Sequence, residues 1–167
     1  MAVFTDASRT IEVSHWGNIL VEEHYTIFNE GAGVKGEWGR VDFNMYNPAH
    51  GKTAVKALGI DLPRYVRGLS YYDFIGNISS SSAKREENKV ALEIEPRFPV
   101  FGQWNTDFNL SYNMPTRYHL HYDADHPQNY VLNFTFMHNF EDILTENYTL
   151  KVILPEGATN IKVFRSL

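Results

Sequence analysis

The sequence contains no cysteine. A chain without cysteine has no disulfide framework, no cysteine-rich zinc site and no thiol nucleophile. The absence does not indicate a compartment, because a domain with an adequate hydrophobic core is stable without disulfides even in an oxidising space. Side-chain packing must therefore hold the fold together.

Positive charge and long apolar runs are also scarce. Fifteen Lys and Arg residues stand against twenty Asp and Glu residues, which gives a formal net charge of −5. Nucleic-acid binding is not expected, because phosphate recognition needs concentrated Lys and Arg. Apolar runs such as Val152-Ile153-Leu154 are far too short to cross a bilayer. The stretch from Met1 to Asp6 has neither the basic nor the apolar region of a secretory leader.

Aromatic side chains, by contrast, are abundant. The 167 residues include 11 Phe, 10 Tyr and 3 Trp, and 43% of the chain is hydrophobic. A chain of this length buries about 70% of its extended surface on folding. We therefore expect residues 1–167 to form a single domain around one core.

Most of the sequence alternates apolar and polar residues with the period of two that is typical of half-buried strands. Segments of this kind span residues 90–95, 106–113, 130–137 and 147–154. A longer candidate strand places on one face Ile19, Val21, Glu23, Tyr25 and Ile27. About ten such segments, separated by turn residues, predict an all-β fold, an antiparallel β-sandwich-like domain.

Four N-x-Ser/Thr sequons are candidate glycosylation sites. Their acceptor residues are Asn77, Asn109, Asn133 and Asn147. In the last three, the Asn and the Ser or Thr lie on the polar face of a predicted strand, where a glycan has room. The alternative is that these are accidental Asn residues on solvated strand faces.

Two groups of polar residues resemble catalytic or metal sites. Alternation in a strand places His119, His121 and Asp123 on one face, which is a ligand set that zinc or iron uses. Glu93 and Glu95 also share a strand face, as a glycosidase acid/base pair would. In both cases the commoner explanation is a solvated strand face.

The aromatic residues suggest two further sites. Trp16, Trp38 and Trp104 are candidates for a sugar-stacking platform, although Trp more often packs in a core. The segment from Arg97 to Trp104 is rich in aromatic residues, Pro and Gly. It either folds under the sheet as a satellite core or presents a patch to a partner. Its packing or interface candidates are Arg97, Phe98, Phe101 and Trp104.

Several stretches resemble the ribophorin I family, the first subunit of the oligosaccharyltransferase complex of the endoplasmic reticulum. They occur in family order along nearly the whole chain. The matching stretches are Ile11–Ile19, Tyr71-Tyr72 with Ile75–Ser79, Glu93–Pro99 with Phe101, Gly102 and Trp104, Tyr112–Pro115, and Val152–Ala158. Three departures are local: Gln103 stands where we expect a Gly, Asp73-Phe74 replaces a stretch that we expect to contain Arg, and the loop Ser79–Lys89 is particular to this chain.

The resemblance implies a non-catalytic accessory role. The complex transfers an oligosaccharide from dolichyl diphosphate to the Asn of sequons in nascent polypeptides, and a separate membrane subunit holds the metal and the acceptor site. A structural or substrate-handling subunit needs no catalytic residue, metal or cofactor of its own. The expected partners are the other subunits, including the catalytic one, and nascent polypeptides. The alternative is a carbohydrate- or peptide-binding β-sandwich that acts alone.

The resemblance also implies a location. Family members are longer, single-pass type I membrane proteins with a signal peptide, a large lumenal region and a transmembrane helix. The chain corresponds to the second part of that lumenal region, so we expect it to be a fragment that lies in the endoplasmic reticulum lumen. Membrane attachment would come only from the missing transmembrane helix. Asn77, at the edge of a serine-rich loop, is then the first choice for a glycan.

Overall fold

A computed structural model describes residues 1–41, 54–126 and 128–164. The described residues contain ten β-strands and a short 3₁₀ helix at Thr116–Tyr118, which confirms the predicted all-β fold. The strands are β1 (Ala2–Val13), β2 (Asn18–Asn29), β3 (Leu58–Pro63), β4 (Arg67–Tyr72), β5 (Ser82–Arg85), β6 (Lys89–Ile94), β7 (Asn105–Pro115), β8 (Leu120–Tyr122), β9 (Tyr130–Leu132) and β10 (Leu144–Ile153).

The first layer is a five-stranded sheet with the order β10-β1-β2-β7-β4. Strands β1, β2 and β7 are 12, 12 and 11 residues long and pair along nearly their whole length. Their alternating residues place one apolar face inward, as the period of two requires. A register shift between Phe4 and Asp6 keeps both Phe4 and Ala7 on the buried face of β1.

The second layer is a three-stranded sheet with the order β3-β6-β5, and β8 and β9 form a separate hairpin. Phe140 extends the second layer through a bridge to Ile60. The ring centre of Phe140 lies 5.0 Å from that of Tyr25 and 5.2 Å from that of Phe4, both in the first layer. Apolar residues of the two layers form one buried cluster, which is the arrangement of a β-sandwich.

Two features differ from the sequence pattern. Strand β10 pairs with β1 in parallel, whereas the other pairs between named strands of the described residues are antiparallel. The chain leaves the second layer near the start of β1, so it enters β10 beside Val3 and runs in the same direction. The alternation at 130–137 forms a strand only as far as Leu132, because Thr135 and Met137 turn their carbonyl groups to Arg9.

Within the part of the chain that the structure describes, no helix is long and apolar enough to span a membrane.

Candidate functional site

The aromatic segment 97–104 packs against one end of the sandwich. Phe101 is buried, and Phe98 and Trp104 are half-buried. The ring centre of Trp104 lies 5.3 Å from Phe101, 6.0 Å from Phe98 and 6.0 Å from Trp38. The segment therefore forms a satellite aromatic cluster that is partly open to solvent on the Phe98 and Trp104 side.

The backbone at Gly102 and Gln103 makes this packing possible. A Cβ atom at position 102 would overlap the backbone of Gly31 and Ala32, so the close approach requires glycine. Gln103 has a φ of 66°, in the left-handed region that glycine adopts more easily. Its side-chain amide donates to the carbonyl of Gly31 at 3.1 Å, and its backbone N–H donates to that of Asn29 at 2.6 Å. These two hydrogen bonds stabilise the left-handed conformation of Gln103, at a position where the family resemblance predicted a glycine.

Arg97 fixes the neighbouring turn through Asp73. The guanidinium donates to both carboxylate oxygens of Asp73, at 2.6 and 2.8 Å, and to the carbonyl of Gly76 at 3.1 Å. Asp73 also accepts from the backbone N–H groups of Ile75 and Gly76. The bond from Arg97, together with the two backbone N–H groups, lowers the pKa of Asp73 to about 2. Arg97 thus has a structural partner within its own chain.

The four sequons lie in different environments. Asn77 and Asn133 are exposed, and Asn147 is exposed on the edge strand β10, where it donates to the carbonyl of Thr5 at 3.1 Å. Asn109 lies in β7 between β2 and β4, and its Oδ1 atom is 3.0 Å from Nδ1 of His24. Asn109 is therefore the most enclosed of the four.

The candidate metal ligands do not share one strand face. His119 lies at the end of the 3₁₀ helix, before β8 begins at Leu120. Its Nδ1 lies 2.9 Å from the carbonyl oxygen of Asn133, and its Nε2 lies 3.0 Å from the Tyr65 hydroxyl. Burial lowers the pKa of His119, which favours the neutral ring. Both ring nitrogens are occupied, and the described residues contain no group of three His, Asp or Glu side chains placed to hold a metal ion.

Of the other polar candidates, His121, Glu93 and Glu95 are exposed and Asp123 is half-buried. His121 is exposed on β8, and Asp123 accepts from the backbone N–H of Asp125 in the turn that follows. Glu93 and Glu95 are both exposed at the end of β6. A glycosidase acid requires a desolvated carboxyl group, and neither glutamate lies in such an environment.

The three tryptophans do not form one platform. Trp38 and Trp104 are neighbours at the end of the sheet where β2 finishes, because Trp104 accepts from the backbone N–H of Asn29. Trp16 is 94% exposed in the turn before β2. The length of β2, about 36 Å from Asn18 to Asn29 at 3.3 Å per residue, separates the two groups. The hypothesis of one sugar-stacking surface built from all three tryptophans is therefore wrong.

A buried polar centre was not among the predicted sites. Arg9 and Glu23 lie opposite each other on β1 and β2, and Tyr112 donates to Glu23 at 3.2 Å. Arg9 also donates to the carbonyls of Thr135 and Met137, at 3.1 and 2.9 Å. Burial raises the pKa of Glu23, and the Arg9 charge opposes that shift. The signal in the sequence was the position of Glu23 on an otherwise apolar face.

The family model and the most similar relatives by sequence point to one family. The family model described as Ribophorin I matches residues 1–167. The chain is 41% identical, over 97% of its length, to dolichyl-diphosphooligosaccharide–protein glycosyltransferase subunit 1A of Arabidopsis thaliana, of which it covers 26%. It is 37% identical over 96% of its length to subunit 1 of Caenorhabditis elegans, covering 27% of that protein. Subunit 1B of Oryza sativa subsp. japonica is 38% identical over 95% of the chain, which covers 33% of that relative.

The chain thus spans about a quarter to a third of the length of these relatives. Among solved structures, an M1 zinc metallopeptidase from Deinococcus radiodurans aligns with this chain at a TM-score of 0.37 and 13% sequence identity. The alignment covers 68% of this chain and 20% of the metallopeptidase. A likeness of that degree says nothing about activity. The match over the full chain and the identities of 37–41% show that the chain belongs to the ribophorin I family.

Proposed function

We propose that the chain is part of a non-catalytic accessory subunit of the oligosaccharyltransferase complex, which glycosylates Asn-x-Ser/Thr sequons from a dolichyl-diphosphate donor. The observation that carries the proposal is the family membership, with relatives named as subunit 1 of that enzyme. Its role is to support the complex or to handle substrate. It acts in the lumen of the endoplasmic reticulum, as part of a single-pass type I membrane protein.

The placement of the titratable groups supports a structural role. Groups with strongly shifted pKa values are the usual candidates for acid/base chemistry. Here the carboxylate of Asp73 is held by Arg97, Glu23 lies beside Arg9, and both ring nitrogens of His119 have partners. In each case a neighbouring group binds the charge or the ring nitrogens, and the contact joins two parts of the fold.

The proposal names partners of two kinds. The first is the set of other subunits, including the one that carries out the transfer, and the second is the nascent polypeptide. The proposal includes one domain over residues 1–167, and it is supported by the single buried cluster that joins apolar residues of both layers among the described residues. The exposed aromatic residues are then available for contacts outside the domain.

Affinity purification of the full-length protein from its own cells tests the proposal. The expected result is a complex that contains the other subunits and transfers oligosaccharide to a sequon peptide. Purification of the protein alone, together with binding of free glycans in a titration, would contradict it. That outcome would favour the stand-alone carbohydrate-binding module.

A further inference from the structure

One end of the five-stranded sheet presents an exposed surface, which we call the Trp16 face. It consists of Trp16, Arg117, Tyr118, Tyr65, Arg64 and Arg67. Trp16 is 94% exposed and Tyr118 is 44% exposed, and the three arginines are also exposed. An aromatic side chain buries about 150–250 Å² when it is covered, so a partner that covers Trp16 would bury a large apolar area.

Backbone hydrogen bonds join the elements of the Trp16 face. The turn that carries Trp16 is closed by a bond from Ser14 to the carbonyl of Asn18, at 2.8 Å. The carbonyl of Gly17 in the same turn accepts from the backbone N–H of Thr116 at 3.1 Å. Thr116 begins the 3₁₀ helix that contains Arg117 and Tyr118. The tryptophan and the arginine–tyrosine pair are therefore held on adjacent pieces of backbone.

Side-chain stacking extends the surface to the second layer. The ring of Tyr118 stacks on that of Tyr65, with centres 4.1 Å apart, and the Arg117 guanidinium lies 4.8 Å from the centre of the Tyr118 ring. Arg85 holds the turn around Tyr65, because it donates to the carbonyls of Arg64 and Val66 at 2.6 and 3.1 Å. A surface built on such fixed elements loses little conformational freedom when a partner binds.

The charge of the Trp16 face is opposite to that of the chain. The formal net charge is −5, yet Arg64, Arg67 and Arg117 lie at this one end. Arg67 pairs with Asn113 in β7, and Asn113 accepts from Asn18 directly after the Trp16 turn. The ion pairs of the described residues involve none of these three arginines. Arg117 donates to the Tyr118 hydroxyl at 3.0 Å, and all three arginines are exposed, so their guanidinium groups are accessible to carboxylates from outside.

We propose that the Trp16 face is the surface through which this domain docks on a carboxylate-bearing protein surface of another subunit. Trp, Tyr and Arg are the residues that dominate protein–protein binding energy, and they are concentrated here. A membrane is the less suitable partner, because anionic bilayers are recognised by larger basic clusters and the chain as a whole is acidic. In this arrangement Trp16 fills an apolar pocket of the partner, and the arginines pair with acidic residues around that pocket. The inference rests on the proposed function.

The test uses the full-length, affinity-tagged protein, isolated with its complex in mild detergent and washed with increasing salt. Trp16→Ala and Arg117→Glu are each expected to reduce the other subunits retained at physiological salt by at least about ten-fold. Matched controls are Phe74→Ala, at a side chain 86% exposed beyond the opposite end of β4, and Lys151→Glu, on the exposed side of β10. Both controls are expected to retain the subunits as the unchanged protein does.

A photo-crosslinking residue at position 16 identifies the occupant. The expected result is a crosslink to another subunit, at a segment rich in Asp and Glu. Equal retention in the Trp16 and control variants would overturn the docking surface and leave the proposed function intact, as would a crosslink to lipid or to the protein's own chain. An unchanged protein that purifies without the other subunits would overturn the proposed function itself, and the docking surface with it.

Discussion

Arg9 and Glu23 face each other across the β1–β2 hairpin inside the sandwich, with Nε and Oε1 3.0 Å apart. Their side chains are 4% and 0% exposed. The same guanidinium reaches the carbonyls of Thr135 and Met137 beyond the first sheet. The pair therefore both neutralises two buried charges and ties the segment after β9 to the five-stranded sheet.

Replacing only one residue of the Arg9–Glu23 pair is expected to destabilise the fold more than replacing both. Glu23→Leu leaves the buried guanidinium without its counter-charge, so we expect the free energy of unfolding to fall by about 3–5 kcal/mol. Adding Arg9→Met removes the uncompensated charge and should recover about 2 kcal/mol of that loss. Urea denaturation of the two single variants and the double variant measures this. If the stability lost by the double variant equals the sum of the losses in the two single variants, the two charges do not interact in the folded state.

The aromatic segment should contribute to stability unequally along its length. Phe101→Ala removes a side chain that is 1% exposed and should cost about 3–5 kcal/mol. Trp104→Ala removes a half-buried ring and should cost about 2 kcal/mol, because part of its surface is already in water. Trp16→Ala is the matched control, since a ring 94% exposed leaves stability within about 0.5 kcal/mol. Thermal unfolding in which Trp104→Ala resembles Trp16→Ala would contradict the packing described for segment 97–104.

The Arg97–Asp73 pair predicts a loss of stability in acid. The pKa of Asp73 is about 2 in the folded chain, against about 3.9 for an unfolded aspartate. Asp73 therefore binds a proton less readily in the folded state than in the unfolded state. Its carboxylate adds about 2 kcal/mol to the free energy of unfolding above pH 4, and this contribution is lost as the pH falls towards 2. Asp73→Asn should remove this part of the pH dependence. A variant whose denaturation midpoint falls between pH 4 and 2 as steeply as that of the unchanged protein would exclude Asp73 as its source.

Sequon occupancy should follow exposure. Asn77 and Asn133 are exposed together with Ser79 and Thr135, so the folded domain has room for a glycan at both sites. Asn109 lies between two neighbouring strands and is bonded to His24, so we expect it to be unmodified. Glycopeptide mass spectrometry of the protein from a eukaryotic host measures each site, with the four Asn→Gln variants as references. A glycan at Asn109, or bare Asn at all four sites, would refute the assignment.

The strands were predictable because the alternation of apolar and polar residues that indicates a strand lies within the strand itself. Alternation at 90–95 and 106–113 is enough to define β6 and the centre of β7, since each strand needs only one wet and one buried face. The parallel pairing of β10 was not predictable. It depends on where the chain leaves the second layer, and no pattern within residues 144–153 records that.

The candidate site was less predictable than the fold, because its contacts join distant residues. Glu23 on an apolar face indicates a buried partner, but only the register of β1 and β2 identifies Arg9 as that partner. The spacing of His119, His121 and Asp123 resembles a ligand set, yet a 3₁₀ turn removes His119 from the strand. In the aromatic segment, a loop without periodicity gave no sign that Phe101 would be more deeply buried than Trp104.

The proposed accessory role is tested most directly by the turnover of the purified complex. Glu93→Gln with Glu95→Gln changes two exposed side chains, and His121→Ala with Asp123→Asn changes one exposed and one half-buried side chain. None of the four belongs to the buried core. If the chain supplies no reacting group, both double variants should transfer oligosaccharide to a sequon peptide at the unchanged rate per complex, within about two-fold. A hundred-fold loss of kcat in a complex of unchanged subunit content would contradict the account, because it would place a catalytic group in this chain.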